Sequence, residues 1–206
     1  LLSNVFPSGV VFSGTGVSGN LFEPAVAGVG TFVLQYDYTD ANGCANSAQT
    51  SITVNSLPVI TFSGTTSVCE NSNAFALTNA NPAGGLYTGT GITAGVFDPA
   101  IGSGNYLITY EFTDGLGCTS ADDFNMQVNP IPPIYLGADT VICADNSIIL
   151  DAGAGFAAYQ WSNGSVGSSI SVDSAGVGIG TTTLAVLVTD ANGCVNSDSL
   201  NVTFDL

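Results

Sequence analysis

The stretch Phe32-Val33-Leu34-Gln35-Tyr36-Asp37-Tyr38-Thr39-Asp40-Ala41-Asn42-Gly43-Cys44 decides the fold. Phe32, Leu34, Tyr36 and Tyr38 recur at every second position, the period of a strand with one buried face. Asn42-Gly43 follows, a strong hairpin signal, and Ile52 and Val54 then resume the alternation. The same order returns twice. Tyr106, Ile108, Tyr110 and Phe112 precede Thr113-Asp114-Gly115-Leu116-Gly117-Cys118, and Phe124, Met126 and Val128 follow it. Leu184, Val186 and Val188 precede Thr189-Asp190-Ala191-Asn192-Gly193-Cys194, and Leu200, Val202 and Phe204 follow. No segment carries apolar residues at helical spacing with caps, so the sequence predicts an all-β chain of small sandwiches.

Outward from these hairpins the chain repeats with a period of about 75 residues. Phe12-Ser13-Gly14-Thr15-Gly16 matches Tyr87-Thr88-Gly89-Thr90-Gly91, and Phe22-Glu23-Pro24-Ala25 matches Phe97-Asp98-Pro99-Ala100. Asn55-Ser56-Leu57-Pro58 matches Asn129-Pro130-Ile131-Pro132, two short proline-stiffened junctions. Three repeats are expected, at 1–57, 58–131 and 132–206. The first is truncated, because Leu2 already aligns with Leu77.

Composition narrows the chemistry. Lys, Arg and His are absent, whereas Lys and Arg alone normally make up about an eighth of a chain. No side chain can donate from a cation, no imidazole can act as base or metal ligand, and a net charge of −16 excludes a nucleic-acid partner. The apolar residues are dispersed in short runs, which argues against a membrane-embedded chain. Without a signal peptide or lipidation motif, the chain reads as an interior piece of something longer. Five cysteines among many Gly, Ser, Thr and Asn residues point to an oxidising, extracellular setting.

Repeats of this size bury little core, so a covalent staple is expected. Cys69 pairs naturally with Cys118 and Cys143 with Cys194, each closing a loop worth roughly 4 kcal/mol in the chain-entropy model. Cys44 is left unpaired. It has no cation or imidazole beside it to make it a nucleophile.

Asp139-Thr140-Val141-Ile142-Cys143, Leu150-Asp151-Ala152-Gly153, Tyr159-Gln160-Trp161-Ser162-Asn163-Gly164 and the last Thr-Asp-Ala-Asn-Gly-Cys resemble the Ig-like and PKD-like repeats of very large secreted Bacteroidota proteins. The first two repeats resemble a sister type from the same proteins. The resemblance spans the chain and implies tandem immunoglobulin-like β-sandwich domains in a linear array. It also implies a place in the stalk of a cell-surface or gliding-motility adhesin exported by type IX secretion. Members of that family carry some Lys and Arg, and this chain departs from them there. Asp139-Thr140-Val141, Asp173-Ser174-Ala175 and Asp198-Ser199-Leu200 match the family's O-glycosylation pattern, which marks Thr140, Ser174 and Ser199. Trp161 is expected in the core beside the Cys143–Cys194 bridge, the alternative being an exposed platform for a sugar.

Asp40, Asp114 and Asp190 recur at one turn position. Each carboxylate suits an Asx turn, accepting backbone N–H bonds at the hairpin mouth. The alternative is calcium, a hard cation that takes oxygen ligands and would offset the charge. Asp122, Asp123, Asp145 and Asp151 are further candidates for it. Asp37 and Glu111 lie on solvated strand faces in different repeats, so they form no acid–base pair. Gly176-Val177-Gly178-Ile179-Gly180 follows no parallel strand and opens no helix, so it reads as a flexible turn and not a nucleotide loop.

These features predict a non-catalytic structural segment of a surface adhesin or extracellular fibre, with no cofactor beyond calcium. Its partners are neighbouring Ig-like repeats, like subunits, or glycans. Two alternatives are a strand-complemented pilus-like subunit and a calcium-assisted carbohydrate-binding module.

Overall fold

The computed structural model describes residue 2 and residues 10–206; residues 1 and 3–9, which belong to the first expected repeat, lie outside the described residues. The chain is all-β, built of strands with single helical turns at Pro24–Ala27, Pro99–Ile101 and Ser174–Val177. Two compact units form, one from Leu1–Ile60 with Glu111–Ser120, the other from Thr61–Tyr110 with Ala121–Leu206.

In the first unit the strands Gly30–Thr39 and Ala45–Val54 pair antiparallel from Gly30↔Val54 to Thr39↔Ala45. Val11–Ser13 pairs antiparallel with Gly30–Thr39. Leu34 is 1% exposed, and Phe32, Tyr36 and Tyr38 on its face are half-buried, while Val33 and Asp37 between them face solvent.

The hairpin turn is longer than Asn-Gly alone implies. The N–H of Gly43 donates to the Asp40 carbonyl and that of Asp40 to the Cys44 carbonyl, both at 3.0 Å, so the loop runs from Asp40 to Cys44. The Asp114 and Asp190 turns repeat this geometry, with Gly117 and Gly193 both at φ 82. That left-handed backbone lets glycine close the loop.

The repeat motifs have matching physical roles. A Cβ on Gly14 would lie 2.8 Å from the Val33 carbonyl oxygen, and one on Gly89 would lie 2.8 Å from that of Leu107. At φ 140 and 144, only glycine fits this close approach of two chain segments. Leu2 donates its N–H to the Asn20 carbonyl as Leu77 does to Gly95, in the register predicted from sequence. Pro99 opens a helical turn that Asp98 caps by accepting from the Ala100 N–H at 3.0 Å. Asp173 does the same for Gly176 at 2.8 Å. The glycine-rich stretch at 176–180 is the end of a capped helical turn leading into the strand Gly180–Thr189.

The strands Ser67–Cys69, Thr119–Asn129, Gly104–Thr113 and Leu86–Gly89 form one sheet. Its core holds Phe97, Ile108, Tyr110, Met126 and Val128, each at most 1% exposed. Tyr110 donates its hydroxyl to the Pro82 carbonyl at 2.7 Å and Tyr87 donates to Asn79 Oδ1 at 3.0 Å, so these aromatics bury no unsatisfied hydroxyl. Burial pushes the Tyr87 phenol above its ordinary pKa.

The last repeat is a two-layer sandwich. One layer is the ribbon Ser147–Asp151 with Ser169–Asp173; the other contains Thr140–Cys143, Val195–Asp205, Gly180–Thr189 and Ala158–Trp161, in that order. Leu150, Ile170 and Val172 from the first layer meet Trp161, Leu184, Val186, Val188, Leu200, Val202 and Phe204 from the second. Each such large side chain contributes about 1.5–3 kcal/mol on burial. Thr140–Cys143 runs parallel to the final strand, from Thr140↔Val202 to Cys143↔Asp205.

Candidate functional site

Cys69 and Cys194 form a disulfide, with S–S 2.02 Å and Cα–Cα 5.5 Å across a sequence separation of 125. This corrects the pairings expected from sequence. Cys69 does not join Cys118, Cys143 does not join Cys194, and Cys44, Cys118 and Cys143 are free thiols. Strand register explains the difference. Cys143 lies level with Asp205, while Cys194 immediately precedes Val195 at the other end of the same strand. Ten residues of strand span roughly 33 Å, far beyond the ~4.4–6.8 Å Cα separation that a disulfide allows. Cys69 is likewise level with Asn129, at the far end of the strand Thr119–Asn129. A bond within one repeat is geometrically closed to these cysteines, and a bond to the hairpin turn of the next repeat is open.

The joint has a second fastening. Asn71 Nδ2 donates to the Val195 carbonyl at 3.0 Å, beside the disulfide. Cys194 is fully buried. In the chain-entropy model, closing a loop of this length is worth about 5 kcal/mol.

The aspartates present the turn cysteines. Asp190 Oδ1 accepts from Asn192 N–H at 2.9 Å and Cys194 N–H at 2.8 Å. Asp114 Oδ1 accepts from Leu116 and Cys118, both at 2.9 Å, and Asp40 Oδ1 from Asn42 and Cys44, both at 2.8 Å. The three carboxylates belong to three separate hairpins. Among the described residues, no group of three Cys, His, Asp or Glu side chains is placed to hold a metal. Asp122 and Asp151 likewise accept from nearby backbone N–H groups, those of Asp123 and Gly153.

Trp161 is 2% exposed and donates Nε1–H to the Gly167 carbonyl at 2.8 Å, so its ring offers no platform for a sugar. The bridge expected beside it, Cys143–Cys194, is not formed. Of the proposed glycosylation positions, Ser199 is exposed, Thr140 is half-buried, and the half-buried Ser174 donates its hydroxyl to the Ala144 carbonyl at 2.6 Å. Asp139 accepts from both the backbone and the side-chain amide of Asn201, at 2.8 and 3.0 Å, which holds its carboxyl below the ordinary value.

Sequence reading missed an open groove of about 610 Å³ lined by Thr66, Ser67, Asn105, Asn125, Gln127, Asn129, Pro130 and Asn192. Asn125 and Gln127 are outward positions of the strand whose inward positions are Phe124, Met126 and Val128, so the alternation carried the only signal. No aromatic lines the groove. Among the described residues, no helix is long and apolar enough to cross a membrane.

No protein-family model matches the chain, and no curated protein sequence does. Solved structures show distant likeness. A calcium-stabilised adhesin with which an Antarctic bacterium binds ice is 16% identical over 95% of this chain and 65% of its own, with a TM-score of 0.34. A Bacteroides ovatus protein, SGBP-B of a mixed-linkage glucan utilization locus, is 13% identical over 97% of this chain and 61% of its own, with a TM-score of 0.21. The human desmocollin-1 ectodomain is 13% identical over 85% of this chain and 47% of its own, with a TM-score of 0.25. The chain thus spans less than two thirds of these structures' lengths, and at such TM-scores the likenesses assign it no role.

Proposed function

We propose that the chain is a non-catalytic structural segment of a cell-surface adhesin or extracellular fibre, made of immunoglobulin-like repeats and exported to an oxidising environment. One observation carries this reading: the Cys69–Cys194 bridge, which ties one repeat to the next. Disulfides persist outside the reducing cytosol. A bond that crosses from repeat to repeat carries load past the residues it encloses, so the segment between Cys69 and Cys194 does not extend even if the sandwiches open. The buried Trp161 and the lack of basic residues leave little chemistry for catalysis. The resemblance to Bacteroidota repeats supports type IX secretion as the route.

Single-molecule stretching from the two termini tests the proposal, together with a glycan array. The chain should bind no glycan, and under oxidising conditions the residues between Cys69 and Cys194 should stay unextended. Reduction should then release roughly 400 Å of additional contour length, at about 3.3–3.6 Å per residue. Glycan binding abolished by Asn125→Ala or Asn192→Ala in the polar groove would overturn the structural reading and make the chain a binding module.

A further inference from the structure

The free thiol Cys143 occupies the same place in the last repeat that Cys69 occupies in the one before it. Each ends a strand that runs parallel to the final strand of its sandwich, with Cys69 opposite Asn129 and Cys143 opposite Asp205. The residue after each donates its N–H to the carbonyl of that opposite residue, Glu70 to Asn129 at 2.9 Å and Ala144 to Asp205 at 2.7 Å. Each cysteine carbonyl then accepts a turn-closing N–H, from Ser72 at 2.9 Å and from Asn146 at 3.0 Å. Cys69 in this setting is bonded; Cys143 is exposed and free.

The complementary half is also present. Cys194, the partner of Cys69, closes the hexapeptide Thr189-Asp190-Ala191-Asn192-Gly193-Cys194. Thr39-Asp40-Ala41-Asn42-Gly43-Cys44 is identical to it in sequence. The two turns are also alike in geometry, since Asp40 and Asp190 each cap the cysteine N–H at 2.8 Å. Cys44 is exposed and free.

We infer that Cys143 of one chain and Cys44 of a second copy form a head-to-tail disulfide that reproduces the Cys69–Cys194 joint between molecules. Asp145 would then stand where Asn71 stands, and Ala45 where Val195 stands; a carboxylate accepts and does not donate, so the Asn71-to-Val195 bond has no equivalent and the disulfide alone holds the joint between molecules.

The bond forms by thiol–disulfide exchange with a small-molecule or protein disulfide as oxidant. The Cys143 thiolate attacks the oxidant RSSR and releases one thiolate. The Cys44 thiolate then attacks the mixed disulfide on its Cys143 sulfur and expels the second. Two protein thiols and RSSR give one protein disulfide and two RSH, so the electrons lost by Cys143 and Cys44 reduce the oxidant.

The test uses the whole chain in the Cys118→Ser background, equilibrated with oxidised and reduced glutathione and read by non-reducing electrophoresis and peptide mapping. This protein should shift from monomer to a ladder of oligomers carrying a Cys44–Cys143 peptide. With Cys44→Ser or Cys143→Ser added, each protein alone should stay monomeric, and an equimolar mixture of the two should stop at dimer. A mixture that stays monomeric would overturn the inference, as would either variant dimerising alone to the same extent as the mixture. The glycan array and the stretching experiment read the structural role independently, because neither depends on Cys44 or Cys143.

Discussion

Asp190 Oδ1 lies 2.8 Å from the backbone nitrogen of Cys194 and accepts its N–H, so one carboxylate fixes the turn that delivers the bridging sulfur to Cys69. The same bond recurs at Asp40 and Asp114, which explains why an aspartate opens each of the three Gly-Cys hairpins. It also separates the two roles open to these aspartates.

Asp190→Ala removes the acceptor for two N–H groups and should cost about 1 kcal/mol of stability per bond, up to about 2 in total. Asp190→Asn keeps an Oδ1 acceptor and should cost little. Thermal unfolding of both variants, with calcium and with a chelator at fixed ionic strength, checks this. A calcium-dependent Tm in the native chain that is lost in Asp190→Asn would instead make the carboxylate a metal ligand.

Salt should stabilise the fold. Sixteen acidic residues face no basic side chain, so folding concentrates like charge with no internal compensation. Raising ionic strength shortens the screening length to about 8 Å at 0.15 M. The Tm should therefore rise with NaCl, and a Tm that falls or stays level between low and moderate salt would contradict this.

Asp139 should titrate below an ordinary aspartate, because the charged form accepts two hydrogen bonds from Asn201. Its folded pKa lies below its unfolded value, so its contribution to stability is present above about pH 4, the ordinary Asp value, and is lost as pH falls through the lower folded value. Asn201→Ala removes the side-chain bond and should move the Asp139 carboxyl, followed by NMR, upward toward the ordinary value. No movement would leave the Asn201 amide without a role in holding this loop.

The strands were legible because their alternation is strict: Ile108, Tyr110, Leu184, Val186 and Val188 all fall on the buried face that the period assigns them. The glycine motifs were legible as repeats, but their cause was not. That Gly89 lies against the Leu107 carbonyl depends on a crossing that sequence spacing does not encode. The disulfide was misread for a related reason. Order along the chain favours the nearest pair of cysteines in each repeat, whereas parallel pairing of Thr140–Cys143 with the final strand carries Cys143 to the opposite end of the sandwich from Cys194. Trp161 was placed in the core correctly, but beside a bridge that does not form. The polar groove left no motif, since Asn105, Asn125, Gln127 and Asn192 come together only through the fold.

Disulfide mapping of the native, alkylated chain tests the repeat-to-repeat tie most directly. Because trypsin has no site in this sequence, digestion requires a protease that cuts at acidic or aromatic residues. The account predicts a peptide joining Cys69 to Cys194, with Cys118 alkylated. Peptides joining Cys69 to Cys118 and Cys143 to Cys194 would contradict it.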